Sequence, residues 1–498
     1  MFFLKKGPNN LLLTKFSIAV ILILCQTKAF AQEMLGTTNI KYNSTHSVIL
    51  NPATAVFSPY FLSFNVVTAH AFINNNYLFI KNEDLKISSF IRGNFPEPGW
   101  KLLNDKYSAE LKNGFINTRV LGPSVSIVAG KNAFGLSLSA RSISSITNIP
   151  HPVAKFFFEG LYYPPQYDIR YDKSEKMLFA NIELGEIGFN FSRMISNNGL
   201  HMWAMGATLK FLPAYAGSYA YSEHVDFKVP HYDTLVIYDV DAEAGLALPV
   251  NYENNDFNRT PLFRGFGAGA DFGIVYSRKK APGKSEQFIR RLCEQNYHPY
   301  LWRVGLSFLD LGTVKFTKNA RQYSVKDGNL FWPGINNTHY SSINEAADDL
   351  SNRFFNDSDQ LVSGNKFSVG LPSAIALIGD YNLVSDLFIS ATVVLPVKLA
   401  KASVMRPFVL SSGLRYETRL FHVGATASLY NNQMVRFGLH GRFANIFAGS
   451  ENILGLLKMS DFSGMDLYVG IRLGLLKGKC PRSSGLNCTF DEYRKFKR

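Results

Sequence analysis

The chain holds 498 residues, 46% apolar, 18% charged and 14% aromatic, with four cysteines and a formal charge of +14. That balance excludes a disordered or collagen-like chain, and the charged fraction lies below the roughly 25% of an average soluble domain. With 24 Tyr and 41 Phe, the chain carries more aromatic surface than a water-exposed exterior needs.

Lys5, Lys6 and Lys15 precede a run from Phe16 to Cys25 that is apolar but for Ser17, and Ala29-Phe30-Ala31 follows. Positive residues, a short apolar run and small residues at the two positions a signal peptidase reads predict a secretory signal peptide over residues 1–31, cleaved near Ala31 before Gln32. The run is too short to cross a bilayer, which takes about 20 apolar residues. A lipoprotein reading at Cys25 is disfavoured by the bulky Leu24 before it. No later stretch offers 18 uninterrupted apolar residues. Entry of the mature chain into a membrane is therefore expected only as a closed β-barrel.

Residues 32–59 are polar and contain the turn signal Asn51-Pro52, followed by Ala53. They are expected to form an N-terminal plug rather than a separate domain. Beyond them the chain repeats one dyad. Phe134, Leu136 and Leu138 alternate with Gly135, Ser137 and Ser139; Trp203, Met205 and Leu209 with Ala204, Gly206, Thr208 and Lys210; Phe266, Phe272 and Ile274 with Gly267, Asp271 and Gly273. The pattern returns with Phe421 and Val423 against His422 and Gly424, Val435, Phe437 and Leu439 against Arg436, Gly438 and His440, and Leu467 to Leu473 against Tyr468, Gly470 and Arg472. Period two over ten to fifteen residues predicts strands long enough to cross a bilayer at a tilt, with the aromatic and aliphatic face toward lipid.

Short turns are expected at Lys131-Asn132, Ser196 to Gly199, Asn382 to Ser385 and Glu417-Thr418, and long polar loops at about Lys81 to Asn113, Asn148 to Lys176, Tyr215 to Leu235 and Gly312 to Asn365. Their alternation suits the two rims of a barrel. Segment counting gives 12 to 14 strands with Asn445 to Leu457 unresolved, and Ser285 to Gln295 reads as a short amphipathic helix. The fold class is all-β, an antiparallel transmembrane barrel of about 14 strands over residues 60–476. Strand length disfavours a β-sandwich, and the lack of a 40-to-50-residue repeat disfavours a propeller.

Residues 477–498 form a basic tail, seven Lys and Arg against Asp491 and Glu492, expected to be periplasmic and outside the barrel. Setting aside the four lysines before residue 32 leaves 48 Lys and Arg against 38 acids, and half of that excess sits in the tail. An exported chain without one basic stripe is not expected to bind nucleic acid. Cys480 and Cys488 frame seven residues in an oxidising compartment, which suggests a disulfide rather than a metal site.

H-E-x-x-H, G-x-S-x-G and C-x-x-C motifs are absent from the sequence, and Gly265 to Gly273 keeps strand period instead of opening a helix. No enzyme, cofactor or metal site is expected. A lipase built on His422 and His440 with Ser428 and Ser412 is outweighed by the ordinary polar lining of a lumen. Glycines at alternate positions more simply leave room for a plug.

Arg415, Arg436, Arg442 and Arg472, with His422 and His440, fall on predicted inward faces of neighbouring strands, with Glu417 the one acid there by the same alternation. Buried like charges need partners. One reading pairs them with Glu417, Asp271, Glu183, Glu186 and carbonyls of the N-terminal segment. The other makes them a basic arc holding the anionic head group of a hydrophobic ligand.

Asn51-Pro52-Ala53, Gly265 through Gly273 and Val304 through Gly312 resemble the long-chain fatty-acid transporter superfamily of outer-membrane barrels. Lys41-Tyr42-Asn43-Ser44 through Asn74-Asn75-Asn76-Tyr77-Leu78 is more similar still to a set of Bacteroidota barrels known as a domain of unknown function. The resemblance implies a 14-stranded barrel in the cell outer membrane with an N-terminal segment in its lumen, whose contacts are outer-membrane lipid and either a hydrophobic ligand or secretion-system proteins. Passage of hydrophobic or amphiphilic compounds is the preferred expectation. The alternative is a non-enzymatic component of a secretion or surface-assembly system of the type IX kind. Residues after the last strand depart from many such barrels, which stop there.

Overall fold

The computed structural model describes residues 34–40, 42, 44–84, 103–280, 299–384 and 386–475. The expected signal peptide, the helix at Ser285 to Gln295, the basic tail and the Cys480–Cys488 pair lie outside the described residues.

Fourteen antiparallel strands close into one barrel. They are β1 Leu62–Asn75, β2 (Lys112–Leu121 continued by Ser124–Ala129), β3 Asn132–Ile149, β4 Met177–Asn198, β5 His201–His231, β6 Gly265–Lys279 and β7 Tyr300–Phe316. The second half is β8 (Phe367–Gly370 continued by Ala374–Val384), β9 Leu387–Pro396, β10 Val409–Glu417, β11 Phe421–Tyr430, β12 Met434–Phe443, β13 Ile446–Ser450 and β14 Gly464–Leu475. The barrel closes by pairing β1 with β14, from Leu62 opposite Leu475 to Asn74 opposite Gly464. Closure joins the first strand to the last, the condition for a sheet to sit in lipid.

The dyads fall as the sequence predicts. Phe134, Leu136 and Leu138 are exposed on the outer face, as are Trp203, Met205, Leu209, Phe266, Phe272 and Ile274, while Lys210, Asp271, His422 and Arg436 are buried. Trp203, Tyr276 and Trp302 form an outward aromatic chain near the short-turn rim, with ring centroids 4.8 and 4.9 Å apart. Phe211, Phe263 and Phe266 cluster toward the other rim. Ten residues separate Phe266 from Tyr276, about 33 Å of strand, which a tilt of about 40° reduces to the roughly 25 Å of an outer-membrane apolar band. The protein is an outer-membrane β-barrel.

Two irregularities change the phase of the dyad. At the bulge between Asn65 and Val67 in β1, inward residues switch from Ser63 and Asn65 to Thr68 and His70, leaving Val66 and Val67 both exposed. In β7, Leu309 and Asp310 are both buried beside the register shift at Ala270–Phe272, with Asp310 at φ 52°. An extra residue in one strand re-aims a side chain in this way.

Tyr215 to Leu235 is not a loop. β5 runs for 31 residues, about 100 Å of strand, and its outer end pairs with Thr234–Ala247. Arg321–Val325, Leu330–Pro333 and Val362–Gly364 extend this sheet beyond the membrane, so Gly312 to Asn365 is also largely ordered strand and helix. Helices His151–Glu159 and Ile343–Phe355 complete a crown on the long-loop side. The segment left unresolved by the sequence supplies β13, only five residues long, and a short helix at Ile453–Leu456.

Candidate functional site

The described residues between 34 and 57 lie inside the barrel as three short helical pieces, Leu35–Thr38, Ser44–Leu50 and the 3-10 turn Pro52–Phe57. Asn51 begins that turn by accepting the Ala53 N–H at 3.0 Å, and Pro52 at its first position is preset for the conformation. The Asn51 amide donates to the Leu306 carbonyl at 3.1 Å and the Ile274 carbonyl at 3.4 Å, and Ser307 Oγ donates to the Leu50 carbonyl at 2.6 Å. Glycine permits this approach. A Cβ on Gly206 would stand 2.6 Å from the Pro52 carbonyl, and one on Gly273 would overlap the Asn51 side chain. Gly267 and Gly269 of the same run meet barrel residues instead, so only part of the glycine periodicity serves the inner segment. Ala53, Val56 and Phe57 then pack on Val128, Met194, Met202 and Val275.

Above this segment the lumen contains a charge network. Arg141 donates to Glu186 at 3.0 Å and to both Asp310 oxygens at 3.3 Å; Lys210 bonds Asp310 at 2.6 Å and Asp271 at 2.7 Å; Arg406 reaches Asp310 at 2.7 Å. Arg119 stands 3.7 Å from Glu186. The Asp310 N–H also donates to Asp271, and Ser373 donates to the Asp310 carbonyl. Arg406 arrives on residues 397–408, which fold inward between β9 and β10 so that Ala402 and Val404 join the central core. Asp271 and Glu186 thus serve Lys210 and Arg141, not the C-terminal arginines. Glu183 Oε1 is buried with no hydrogen-bond partner among the described residues. Nothing in the alternation marked Asp310, because it faces inward only through the irregularity in β7.

The six basic residues of β10 to β14 all face the lumen and separate into groups. Arg436 is six residues above Arg442 on β12, about 20 Å along the strand, where it donates to Asn74 at 2.9 Å and lies over the Tyr430 ring at 5.0 Å. The other five share the short-turn end. Arg415 forms a two-pronged pair with Asp380 at 2.6 and 2.8 Å and also reaches Glu417 at 3.3 Å. Arg442 donates to the carbonyls of Thr418, Arg419, Leu420 and Ala444 and so pins two turns. His422 and His440 stack with centroids 4.8 Å apart. Arg472 lies over the Phe447 ring at 5.6 Å.

Three further inward acids, besides Asp310, escaped the sequence reading: Asp380 on Arg415, Asp466 on His70 at 2.7 Å, and Glu451. Glu451 accepts the Gly36 N–H at 3.0 Å and bonds Thr426 and Tyr468, tying the inner segment to the wall. Ser428 bonds Ser411 at 2.9 Å, whereas Ser412 is on the outer face, so the proposed pairing of His422 and His440 with Ser412 has no geometry.

The wall changes character where β13 ends. β13 pairs with residues 439–443 of β12 and 468–471 of β14, leaving residues 434–438 and 464–467 without strand partners on that side. Residues 451–463 cover this wedge. Asn452 donates to the Gly464 carbonyl at 2.6 Å, and Leu457 and Met459 are exposed. In the crown, a cleft of about 750 Å³ opens between Glu253, Tyr340, Glu345 and Asp349.

A closed, lipid-facing barrel with a chain segment bonded inside its lumen defines the class. The chain belongs to a family of unknown function (DUF5723), whose model matches residues 52–451. A family without assigned function is what the motifs at Asn74–Leu78 led us to expect. No curated protein matches the chain. Similar solved structures include the TodX monoaromatic hydrocarbon channel deltaS2 mutant, 10% identical over 87% of this chain and 95% of that one with a TM-score of 0.38. The CymD monoaromatic hydrocarbon channel is 10% identical over 88% and 94%, TM-score 0.31, and a Pseudomonas aeruginosa FadL homologue is 9% identical over 86% and 94%, TM-score 0.22.

Proposed function

We propose that the protein passes hydrophobic or amphiphilic compounds across the outer membrane, with residues 32–59 as a plug and the wedge above β13 as the side exit. The observation that carries this reading is the five-residue β13, which leaves the outer half of the wall between β12 and β14 without strand pairing and covered, among the described residues, by 451–463. An apolar solute gains about 25 cal/mol per Å² by remaining out of water, so a route from the lumen into lipid suits it better than one ending in the periplasm. Glu451 joins the cover to the plug through Gly36, which couples the two parts. Proteoliposomes tested for uptake of an apolar fluorescent dye should exceed empty liposomes, and Glu451→Ala should raise uptake severalfold. Equal uptake with and without protein would contradict the proposal.

A secretion or surface-assembly role is favoured by a different observation. The crown exposes Tyr107, Phe157, Tyr162 and Phe331 beyond the membrane band, as a surface gripping a protein partner would. A mild-detergent pull-down that recovers a stoichiometric protein lost on Phe157→Ser and Phe331→Ser would favour this second reading.

A further inference from the structure

The short-turn end of the lumen holds buried nitrogens that the described residues do not satisfy. Arg472 Nη1, Arg442 Nε, His440 Nδ1 and both ring nitrogens of His422 are buried without a hydrogen-bond partner among the described residues. The two histidines are 1% and 5% exposed and Arg472 7%. Whatever its tautomer, a neutral histidine carries one N–H donor. Buried donors are otherwise almost always paired, and a cluster of unpaired ones marks a place where something from outside binds.

The same level is short of negative charge. Asp380 is taken by Arg415, and Glu417 by Arg415 and the Tyr42 N–H at 3.3 Å. Arg442 is met by carbonyl dipoles, and no ion pair reaches it or Arg472 among the described residues. Glu451 is occupied by Gly36, Thr426 and Tyr468. The charges acting on His422 come from His440, Arg415, Arg442 and Arg472, so these groups share one field, and Tyr42 and Tyr60, 5.5 Å apart, lie within its reach.

We infer that His422, His440, Arg442 and Arg472 form a binding site for a phosphate group at the periplasmic end of the lumen. The unpartnered nitrogens come from three strands, β11, β12 and β14, and their number suits the four oxygens of a phosphate better than the two of a carboxylate. The forked guanidinium supplies the charge-assisted bonds. The site stands independently of the transport reading, since binding there needs no passage. The phosphate can belong to a phospholipid head group or to a soluble periplasmic phosphate, and the chemistry of recognition is the same.

Two measurements on the full-length protein in a phosphate-free detergent decide the matter. Calorimetric titration with inorganic phosphate is paired with native mass spectrometry after exposure to phosphatidylglycerol, with Arg472→Gln, His422→Leu and Arg436→Gln compared with the wild type. Heat-modifiable gel migration selects the folded variants, and His422→Leu substitutes if Arg472→Gln does not fold. Binding of either probe by the wild type, weakened at least tenfold by Arg472→Gln or His422→Leu and unchanged by Arg436→Gln, supports the site. Retention of the lipid alone assigns the head group, and titration by phosphate alone assigns the soluble ion. Binding of neither, equal binding by all variants, or preference for acetate over phosphate overturns it.

Discussion

Around Asp310, four cations meet three carboxylates, and each cation lies within 3.7 Å of one. Around Arg472, the carboxylates in reach are already bonded by Arg415 and the inner segment, and four basic side chains retain nitrogens unpartnered among the described residues. Both clusters are buried and sit in one lumen, yet in the first every cation has a carboxylate partner, whereas in the second Arg442 and Arg472 have none among the described residues. The first is costly to break, because removing one partner strands another in a poorly hydrated interior. In the second, no carboxylate is stranded by removing Arg472, so that charge contributes little to holding the barrel together, whereas Arg442 pins two turns through their carbonyls.

This contrast can be broken most forcefully at Arg141. Arg141→Ala leaves Glu186 and Asp310 short of a partner and should cost about 3–5 kcal/mol of stability, read from urea unfolding in micelles. Arg415→Ala tests the boundary between the clusters. Tyr300 still bonds Asp380 and the Tyr42 N–H still bonds Glu417, so a smaller loss of about 1–3 kcal/mol is expected in the same assay. At the foot of the plug, Gly273→Val would overlap Asn51. The barrel should still show heat-modifiable migration while planar-bilayer conductance rises; an unchanged conductance would remove the plug from the account.

The sequence made the two-faced strands legible because lipid on one side and a packed lumen on the other enforce period two along every crossing. The basic face of β10 to β14 was readable for the same reason. Its partners were not. Asp380 lies on β8, Glu451 just past a five-residue strand, and Asp310 on the wrong phase until an irregularity turns it inward. Alternation also places residues on a face without placing them at a height, so Arg436 was grouped with residues about 20 Å away along the strand. Tyr215 to Leu235 resembled a loop because Glu223, His224, Asp226 and Lys228 erase the apolar alternation, although Phe227 and Val229 pack in a hydrophobic cluster of the crown.

The smallest expected effect is in the crown. Ser342 caps helix Ile343–Phe355 by accepting the Glu345 N–H at 3.1 Å, and Glu345 reaches back to Ser341. The Ser341 hydroxyl and N–H hold the Glu345 carboxylate below its ordinary range. A lowered folded-state value means that its contribution is present above the ordinary value near 4.5 and is lost as pH falls through the lower folded one. Limited proteolysis of the crown should therefore quicken slightly on acidification below about pH 4.5, and Glu345→Gln should flatten that dependence.

The division of the lumen into a charge-paired network and a site whose arginines lack carboxylates is tested most directly by unfolding Asp310→Asn and Arg472→Gln side by side in phosphate-free micelles. Asparagine keeps the left-handed backbone and the volume at 310 while removing the charge that three cations share. Asp310→Asn is predicted to lose about 3–5 kcal/mol and Arg472→Gln less than about 1 kcal/mol. Equal losses in the two variants would contradict the account.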